Sequence, residues 1–405
     1  MKSRINKSTI IKTVIITVTA LILMLIVAYL GGTVQRDLAP TSDDLCADSE
    51  TNENVKETTS KRENKESSID KETSTKKEIE ETTKPLYQPV SMAFVGDVYI
   101  GDKAWNSYNT NGLLGIFSPN IISIFKESSV SGINHEYVAS DAGDEHKVDY
   151  EKWYYKSPTA YEKIISELGI DVVTLANNHT MDYGEEGLID TMNALNSVGV
   201  DYVGVGNNLE EALSPAIYEV SGKKVAVLAA NRVVPRVDWY AGPAKVGQLT
   251  TYESTDRYLM IKAEITRLKS AGVQAVVVLV HFGENKDTTI QDYQYNVAHG
   301  YADAGADLII GCHSHTLQGA EIYNEKYIFY GIGNFLFENY AVDTVMVQAT
   351  IEEDDTLTVG LIPCKSQNYA TKDVSGQEAN DIFKQIMDMS VNILINSDGQ
   401  VVEKN

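Results

Sequence analysis

The distribution of apolar residues divides the chain into three regions. The first is an uncharged, mostly apolar run at residues 13–32, about as long as a helix needs to cross the hydrocarbon core of a bilayer. Residues 33–86 have almost no large apolar side chains and consist mainly of Glu, Lys, Ser and Thr. From about residue 87 onward, short apolar runs recur between polar segments. The pattern therefore predicts a membrane segment, a spacer and a large globular region.

Predicted strands alternate with predicted helices in the globular region. Residues 274–281 form a continuous apolar run that ends in histidine, which is typical of a strand covered on both faces. Ser157 and Pro158 predict the start of a helix, with the serine as its N-cap. The alternation predicts an α/β fold, and a late series of strands indicates a mixed sheet. We assign residues 87–370 to this domain and residues 371–405 to a peripheral C-terminal helix and tail.

Basic residues at the N-terminus determine the predicted topology. Only Arg36 is basic close after the apolar run, and the cytoplasmic side of a membrane segment carries the excess of basic residues. Residues 1–12 are therefore predicted to be a cytoplasmic tail and residues 13–32 an uncleaved single-pass anchor. The alternative is a cleaved signal peptide, but no convincing small-residue cleavage site follows the run. Residues 33–86 are predicted to be a disordered stalk that holds the domain outside the cell membrane. Four basic residues precede the run: Lys2, Arg4, Lys7 and Lys12.

Composition excludes several classes of function. The formal net charge is −23, which argues against nucleic-acid binding and predicts repulsion of a polyanion unless a cation or a basic patch intervenes. The three cysteines form no CxxC pair and no disulfide framework. The sequence has neither a P-loop nor the G-x-S-x-G motif of serine hydrolases.

Polar side chains that can bind metal follow the ends of predicted strands. If these strands lie in one sheet with parallel neighbours, their ends share one edge, where α/β proteins bind ligands. Taken singly, each residue also has an ordinary explanation, such as a turn residue, a solvated carboxylate or a buried histidine with a hydrogen-bond partner. Taken together, they favour a metal-centred site. The residues are Asp97, Asn134, Glu136, Asn178, His179, His281, His313 and His315.

The segment His313-x-His315 gives the sharpest prediction. In an extended strand, alternate side chains point to the same side, so both imidazoles can face one ion. By the same alternation Cys312 points away, and we interpret it as a small buried thiol. Oxygen and nitrogen donors together suit Mn, Fe or Zn, with one or two ions bound. His179 could then act as the general acid in metal-assisted hydrolysis. His135, His146 and His299 show no partner pattern and are interpreted as structural or surface residues.

Several motifs in the globular region resemble those of the bacterial capsule-synthesis protein CapA family. The resemblance implies the fold of the calcineurin-like metallophosphoesterase superfamily, which is a four-layer α/β sandwich around a di-metal centre. It also implies a membrane-anchored protein with a role in poly-γ-glutamate synthesis or export. The motifs are Gly96-Asp97, Asn134-x-Glu136, the segment from Leu175 to Gly184, His281-Phe-Gly283, Gly311-x-His-x-His315 and Gly331-x-Gly-Asn-Phe335.

The resemblance also implies roles for individual residues. Asp97 would be the first metal ligand, Glu136 a bridging carboxylate and His179 the catalytic histidine. The sequence departs from the superfamily at Tyr99, where phosphoesterases usually carry a histidine, and at Glu136, where they usually carry aspartate. Four further residues would complete the metal shell, namely Asn178, His281, His313 and His315, and three would support the ligands from behind, namely Asn134, Asp182 and Asn334.

These observations leave three functions open. The first is a membrane-anchored protein of poly-γ-glutamate or related envelope-polymer synthesis with a metal-dependent hydrolase site. The second is a non-catalytic accessory subunit that binds the anionic polymer or its synthase complex. The third is a secreted phosphodiesterase or nucleotidase. An intact Asp97, His179 and His313 favours an enzyme, whereas Tyr99 favours a binding protein.

Overall fold

The computed structural model describes residues 88–150, 153–337 and 340–404. The predicted tail at 1–12, the anchor at 13–32 and the stalk at 33–86 lie outside these residues. Within the described part of the chain, the helices are all too short or too polar to cross a membrane.

A first mixed sheet combines strands from the N-terminal and the C-terminal parts of the domain. Its order is β18-β17-β16-β1-β2-β5-β6, with β15 also paired to β1. The central strands β1, β2, β5 and β6 are parallel, whereas β16, β17 and β18 are antiparallel to their neighbours. These strands are β1 (Val90–Val98), β2 (Val130–His135), β5 (Val172–Thr174), β6 (Asp201–Val203), β15 (Asn334–Leu336), β16 (Val342–Ile351), β17 (Leu357–Gln367) and β18 (Ala370–Asp373).

A second mixed sheet follows in the chain. Its order is β13-β14-β12-β11-β9-β8, with parallel pairing from β9 to β14 and antiparallel strands at both edges. The strands are β8 (Ala216–Val220), β9 (Lys223–Asn231), β11 (Ala275–Phe282), β12 (Leu308–His313), β13 (Ala320–Tyr323) and β14 (Lys326–Phe329). Three two-stranded ribbons complete the strands: β3 (Val138–Ala139) with β4 (Lys156–Ser157), β7 (Val205–Gly206) with β10 (Gly247–Gln248), and β19 (Ile393–Ile395) with β20 (Val401–Glu403).

Helices cover the outer faces of the two sheets. Val95 of the first sheet packs in one buried cluster with residues of α1 to α4. Val278 of the second sheet packs in another with residues of α5 to α7. A third cluster joins the inner faces of both sheets and includes Phe94 and Val277. The α/β class is thus confirmed, with the sheets face to face between helices. The helices are α1 (Asp102–Asn111), α2 (Pro119–Glu127), α3 (Glu162–Leu168), α4 (Gly184–Ser197), α5 (Leu209–Leu213), α6 (Asp256–Ser270), α7 (Asp292–Ala304) and α8 (Gln377–Asp388).

The C-terminal region contributes to the core. Strand β18 spans the predicted boundary at residue 370 and pairs with β17. Helix α8 buries Ile382, Phe383 and Ile386 in the cluster between the two sheets. A helix does therefore lie within residues 371–405, and its apolar face is one of the walls of the inner core.

The predicted helix start at Ser157 is wrong. Ser157 lies in β4, and its hydroxyl donates to the Ile100 carbonyl at 2.6 Å rather than accepting from a helical N–H. A 3-10 turn at Thr159–Tyr161 separates it from α3. Helix α3 ends at Leu168 and is capped by Gly169, whose φ of 85° is left-handed.

Gly96 permits a close backbone approach just before Asp97. A Cβ atom at this position would lie 2.1 Å from the Gly333 carbonyl oxygen. The absence of a side chain lets the Asp97 N–H donate to that carbonyl at 3.2 Å. The pairing fixes the end of β1 against the segment that leads into β15, and Asp97 is thereby held at the edge of the sheet.

Candidate metal centre

The predicted ligands meet where the carboxyl ends of parallel strands in one sheet face those of the other sheet. The expectation that their strands belong to one sheet is wrong: β1, β2 and β5 lie in the first sheet, while β11 and β12 lie in the second. Residues of β11 with the parity of Val277 and Leu279 face the first sheet, and His281 continues that series. The site is therefore built across the gap between the sheets.

Asp97 is a fully buried carboxylate with several donors around it. It accepts from Asn134 Nδ2 at 2.7 Å and from the His313 backbone N–H at 3.2 and 3.3 Å, and its Oδ2 lies 3.1 Å from His315 Nδ1. Burial acts to raise the pKa of Asp97, but the hydrogen bonds and charges of His315, Asn134 and His313 outweigh it and hold the pKa below its ordinary value. Asp97 is therefore an ionised anchor of the site.

Glu136 is the buried carboxylate without a full set of partners. Its Oε2 accepts from Asn134 Nδ2 at 3.2 Å. Its Oε1 is buried without a hydrogen bond, 3.5 Å from His281 Nε2 and 3.8 Å from His315 Nε2. Burial, followed by the charge of Asp97, raises the pKa of Glu136 well above its ordinary value. A cation at Oε1 would satisfy this atom and stabilise its charge.

His281 and Asn178 face each other across the gap. Asn134 Nδ2 lies 3.3 Å from His281 Nδ1 and can only donate, so Nδ1 holds the lone pair and Nε2 the proton. His281 Nε2 accordingly donates to Asn178 Oδ1 at 2.7 Å. Burial and the neighbouring His313 and His315 lower the pKa of His281 well below its ordinary value. The neutral ring and the amide oxygen are both metal donors, and a cation would bind between them after the ring proton has moved from Nε2 to Nδ1.

His313 and His315 reach the site by a different route from the one expected. His313 is the last residue of β12 and His315 lies beyond it, and their φ values are 93° and 54°. The segment from His313 to His315 is therefore not extended, and the argument from alternation is wrong. His315 Nδ1 lies 2.7 Å from Asn334 Oδ1, which assigns the proton to Nδ1 and the lone pair to Nε2. His313 Nδ1 is buried without a hydrogen bond. Burial and then His315 lower the pKa of His313 to about 3, so the ring is neutral.

Cys312 does not point away from the site. Ile310 belongs to the cluster between the sheets, and Cys312 has the same strand parity. Burial, followed by the charges of Asp97 and Glu136, raises the pKa of Cys312 well above its ordinary value. The thiol is thus protonated beside the carboxylates, in agreement with its interpretation as a small buried group.

His179 is held by Asp182 in the loop after β5. Its Nδ1 lies 2.9 Å from Asp182 Oδ2, and both side chains are buried. Because a carboxylate accepts, Nδ1 carries the proton, and Nε2 is left for proton transfer. Asp182 is itself fixed by the Tyr150 hydroxyl and by the Tyr155 N–H at 3.0 Å. This is a positioned histidine–carboxylate pair.

Tyr99 belongs to an aromatic cluster at one side of the site. Its ring centroid lies 4.9 Å from that of Tyr155 and 5.8 Å from that of Phe337. Those two rings contact the imidazoles of His179 and His315 at 4.4 and 5.0 Å. Tyr99 thus contributes packing next to the two site histidines.

The residues fit a divalent cation. In the described part of the chain, two groups have ligand atoms within 4.8 Å of one another: Glu136 with His313 and His315, and Asp97 with Glu136 and His281. Both include Glu136, which has the unpaired Oε1. Carboxylate oxygens and neutral imidazoles are suitable ligands for Mn, Fe or Zn. The chemistry of the donors and the unpaired oxygen therefore both favour a metal at this place.

Three residues that support the site could not be assigned this role from the sequence. Asn177 Nδ2 donates to Asn134 Oδ1 at 3.2 Å, and Asn177 Oδ1 accepts from the His179 N–H at 3.0 Å. Its position next to Asn178 was the one sequence feature that could have indicated a role for Asn177. Tyr150 lies in a long loop that carries no signal. His135, expected to be structural or at the surface, is buried with Nε2 3.1 Å from both oxygens of Glu162.

Fold and site together define an α/β protein with a candidate metal centre at the facing ends of two sheets. The chain belongs to the bacterial capsule synthesis protein PGA_cap family, whose model matches residues 91–339, and the resemblance to CapA proteins is thereby confirmed.

Three relatives illustrate this membership. The chain is 29% identical to the capsule biosynthesis protein CapA of Bacillus anthracis over 311 residues, which are 74% of this chain and 73% of the relative. It is 30% identical to the PGA biosynthesis protein CapA of Bacillus subtilis (strain 168) over 279 residues, or 66% and 69% of the two chains. A probable polyglutamine synthesis accessory protein of Mycobacterium tuberculosis is 32% identical over 169 residues, or 40% and 44%.

Proposed function

We propose that this protein acts in the synthesis or export of poly-γ-glutamate or a related envelope polymer, with a metal-dependent hydrolase site of the phosphoesterase type. One observation carries the hydrolase part. The unpaired buried Oε1 of Glu136 is common to two groups of metal donors, next to a histidine–carboxylate pair. The polymer part is supported by the family and by the similarity to capsule and PGA biosynthesis proteins of Bacillus.

Each residue has a distinct task in this proposal. Asp97, Glu136, Asn178, His281, His313 and His315 would hold one or two divalent ions, and Asn134, Asn334 and Asp182 would orient these ligands and His179. A bound divalent ion polarises the bond to be cleaved and lowers the pKa of a bound water. In the form protonated at both nitrogens, His179 would give its Nε2 proton to the leaving group, while the Asp182 carboxylate holds the Nδ1 proton and fixes the ring. The arrangement suits cleavage of a phosphoester or an amide.

A non-catalytic accessory role is the second candidate, and Tyr99 favours it. Its ring packs with Tyr155 and Phe337 where a histidine ligand is usual. A centre with fewer ligands would bind the polymer or its synthase complex without cleaving it. A secreted phosphodiesterase or nucleotidase is the third candidate, which the family relationship favours less.

The enzyme proposal is tested with the full-length chain loaded with Mn, Fe or Zn. Metal content and hydrolysis of phosphodiester, phosphomonoester and γ-glutamyl substrates are measured for the parent, for His179→Ala and for His299→Ala. His299 lies outside both donor groups, against the Tyr323 ring at 3.9 Å. We expect His179→Ala to retain metal and to lose about 10²- to 10⁴-fold in rate, and His299→Ala to match the parent. No bound metal, or equal rates for parent and His179→Ala, would refute the enzyme proposal.

The membrane placement is part of the same proposal. Residues 13–32 would anchor the protein, with the N-terminus in the cytoplasm and residues 87–405 outside. A thiol reagent that cannot cross membranes is expected to label Cys46 in intact cells, because the stalk is then outside. Cys312 and Cys364 are buried and serve as internal controls that react only after unfolding. Protection of Cys46 in intact cells, with labelling after lysis, would contradict this topology.

A further inference from the structure

A cavity of about 500 Å³ opens beside the metal centre. Asn178 and His313 form part of its wall, so the cavity is continuous with the candidate site. Arg232, Val233, Val234 and Tyr252 line the part away from the ligands. A substrate at the centre would therefore extend along a wall that has one cation and several apolar groups.

Arg232 is the cation of this cavity. Its guanidinium carbon lies 4.2 Å from the ring centroid of Tyr252 and 4.7 Å from that of Tyr293. Its Nε lies 3.4 Å from Glu253 Oε2 but is buried without a hydrogen bond. Among the described residues, none accepts a hydrogen bond from the Arg232 side chain. The planar donor set is thus held by two aromatic rings and one nearby charge, with its hydrogen bonds unused.

The backbone under Arg232 is tied to the metal centre. The Arg232 N–H donates to the carbonyl of His281 at 2.8 Å. The preceding Asn231 is fully buried, and its carboxamide bonds to the Val233 carbonyl, the Val233 N–H and Gln248 Oε1 at 3.1, 2.7 and 2.8 Å. The main chain at Arg232 is therefore fixed relative to His281, which favours recognition next to a reacting bond.

We propose that Arg232 binds a carboxylate of the polymer chain whose neighbouring bond lies at the metal centre. The inference rests on the proposed function and adds the residue that would recognise the acidic chain, through a free carboxylate close to the bond concerned. A guanidinium matches a carboxylate with two parallel hydrogen bonds, which a lysine cannot reproduce. It also supplies the local cation that a chain with a net charge of −23 needs in order to accept a polyanion.

The test compares two ligands that differ only in charge. An oligomer of γ-linked glutamate with free α-carboxylates and the same oligomer with α-carboxamides are titrated by calorimetry into the full-length, Mn-loaded chain. The variants are Arg232→Gln, Arg232→Lys and the control Arg236→Gln. Arg236 lies four residues further on, outside the cavity lining, and is paired with Asp238. Arg236→Gln thus makes the same change of charge close by.

We expect the parent to prefer the carboxylate oligomer by about ten- to a hundredfold, the factor for a hydrogen bond to a charged group. Arg232→Gln should abolish this preference while binding the carboxamide oligomer as the parent does. Arg232→Lys should retain a weaker preference, and Arg236→Gln should match the parent. If Arg232 had only a structural role, Arg232→Gln would weaken the binding of both oligomers equally.

Two results would overturn the subsite: no measurable binding of the carboxylate oligomer by the parent, or an unchanged preference in Arg232→Gln. If Arg232→Gln does not fold, a preference in Arg232→Lys that equals that of the parent has the same meaning. Failure of the hydrolase proposal is a separate outcome. In that case the preference depends on Arg232 while no γ-glutamyl or phosphoester bond is cleaved, and the subsite stands as part of a binding protein.

Discussion

The two sheets contribute different chemistry to the same site. The first sheet, through β1, β2 and the loop after β5, supplies oxygen donors: Asp97, Glu136 and the amide of Asn178. The second sheet, through β11 and β12, supplies imidazoles: His281, His313 and His315. Neither half alone forms one of the two donor groups, because each group joins Glu136 to histidines from across the gap.

The halves also differ in backbone conformation. Asp97 and Asn134 lie in paired strands, and their register places them side by side. His313 and His315 have left-handed φ values, in a segment where β12 has ended or is ending. Asp97 is thus placed by strand pairing at an irregularity in the register of β1, and His281 by the regular pairing of β11. His313 and His315 are placed by the left-handed segment at the end of β12. A bound cation would connect the two sheets at the edge where the ligands lie. The apolar cluster between their inner faces connects the sheets over the rest of the interface.

The largest effect is expected from Glu136→Gln, which breaks the link between the halves. The neutral amide keeps the shape of the side chain but removes the one carboxylate common to both donor groups. We expect metal affinity to fall by more than about 100-fold, beyond the loss that is usual for a residue that only supports a ligand. Calorimetric titration with Mn measures it, together with the metal-induced rise in Tm, which should disappear.

Glu321→Gln is the matched control for this change. Glu321 is also a nearly buried glutamate paired with a histidine, His299, at 3.0 Å, but it lies outside both donor groups. The claim that Glu136 links the two halves of the site would be wrong if both variants lost metal affinity equally, or if Glu136→Gln still bound metal as the parent does.

A smaller effect is expected from Asn334→Ala, which disturbs one imidazole from behind. Asn334 accepts from His315 Nδ1 at 2.7 Å and so orients the ring for coordination through Nε2. Losing such a partner typically lowers metal affinity by about 10- to 100-fold. The same titration should show weaker binding with unchanged stoichiometry. An affinity equal to that of the parent would mean that Asp97, 3.1 Å from the same nitrogen, orients His315 without Asn334.

The smallest effect concerns protons. In the metal-free protein the pKa of Glu136 is raised well above its ordinary value, whereas the pKa values of His281 and His313 are lowered. Below the raised pKa of Glu136 the oxygen half therefore holds a proton that a metal displaces, whereas the two imidazoles are neutral and have no second proton to release. We expect about one proton to be released per site, and metal affinity to rise with pH by about tenfold per unit while Glu136 remains protonated.

Titrations in buffers of different ionisation enthalpy measure this release. Glu136→Gln should release no proton on residual binding. Release of protons by that variant would show that the histidines, rather than the glutamate, carry them.

The sequence was informative where regular strands place the side chains. The apolar run before His281 and the motif at Asn134 and Glu136 predicted strand ends, and the structure has strands there. It was misleading where the placement depends on tertiary structure. Pairing between strands decides that β1 and β11 belong to different sheets, and apolar runs carry no information about that choice.

The conformation of the His313 segment could not be predicted for a related reason. Periodicity assumes one backbone conformation. A left-handed φ of 93° at His313 interrupts the alternation that would place Cys312 and His313 on opposite sides. This explains why Cys312 lies near Asp97 although alternation predicted the opposite. Arg232 could not be predicted as a binding residue, because a single arginine after a strand carries no sequence signal for a site. Only the cavity and the two tyrosine rings give it a context.

The left-handed backbone at His313 and His315 also has a consequence for protein engineering. Each such residue costs about 1 kcal/mol or more relative to glycine, which adopts this conformation freely. A library selected only for thermal stability would therefore enrich glycine or asparagine at both positions and discard two imidazoles. Thermostabilised versions of this protein would need selection for metal retention as well, because stability and the candidate centre make opposite demands on the same two residues.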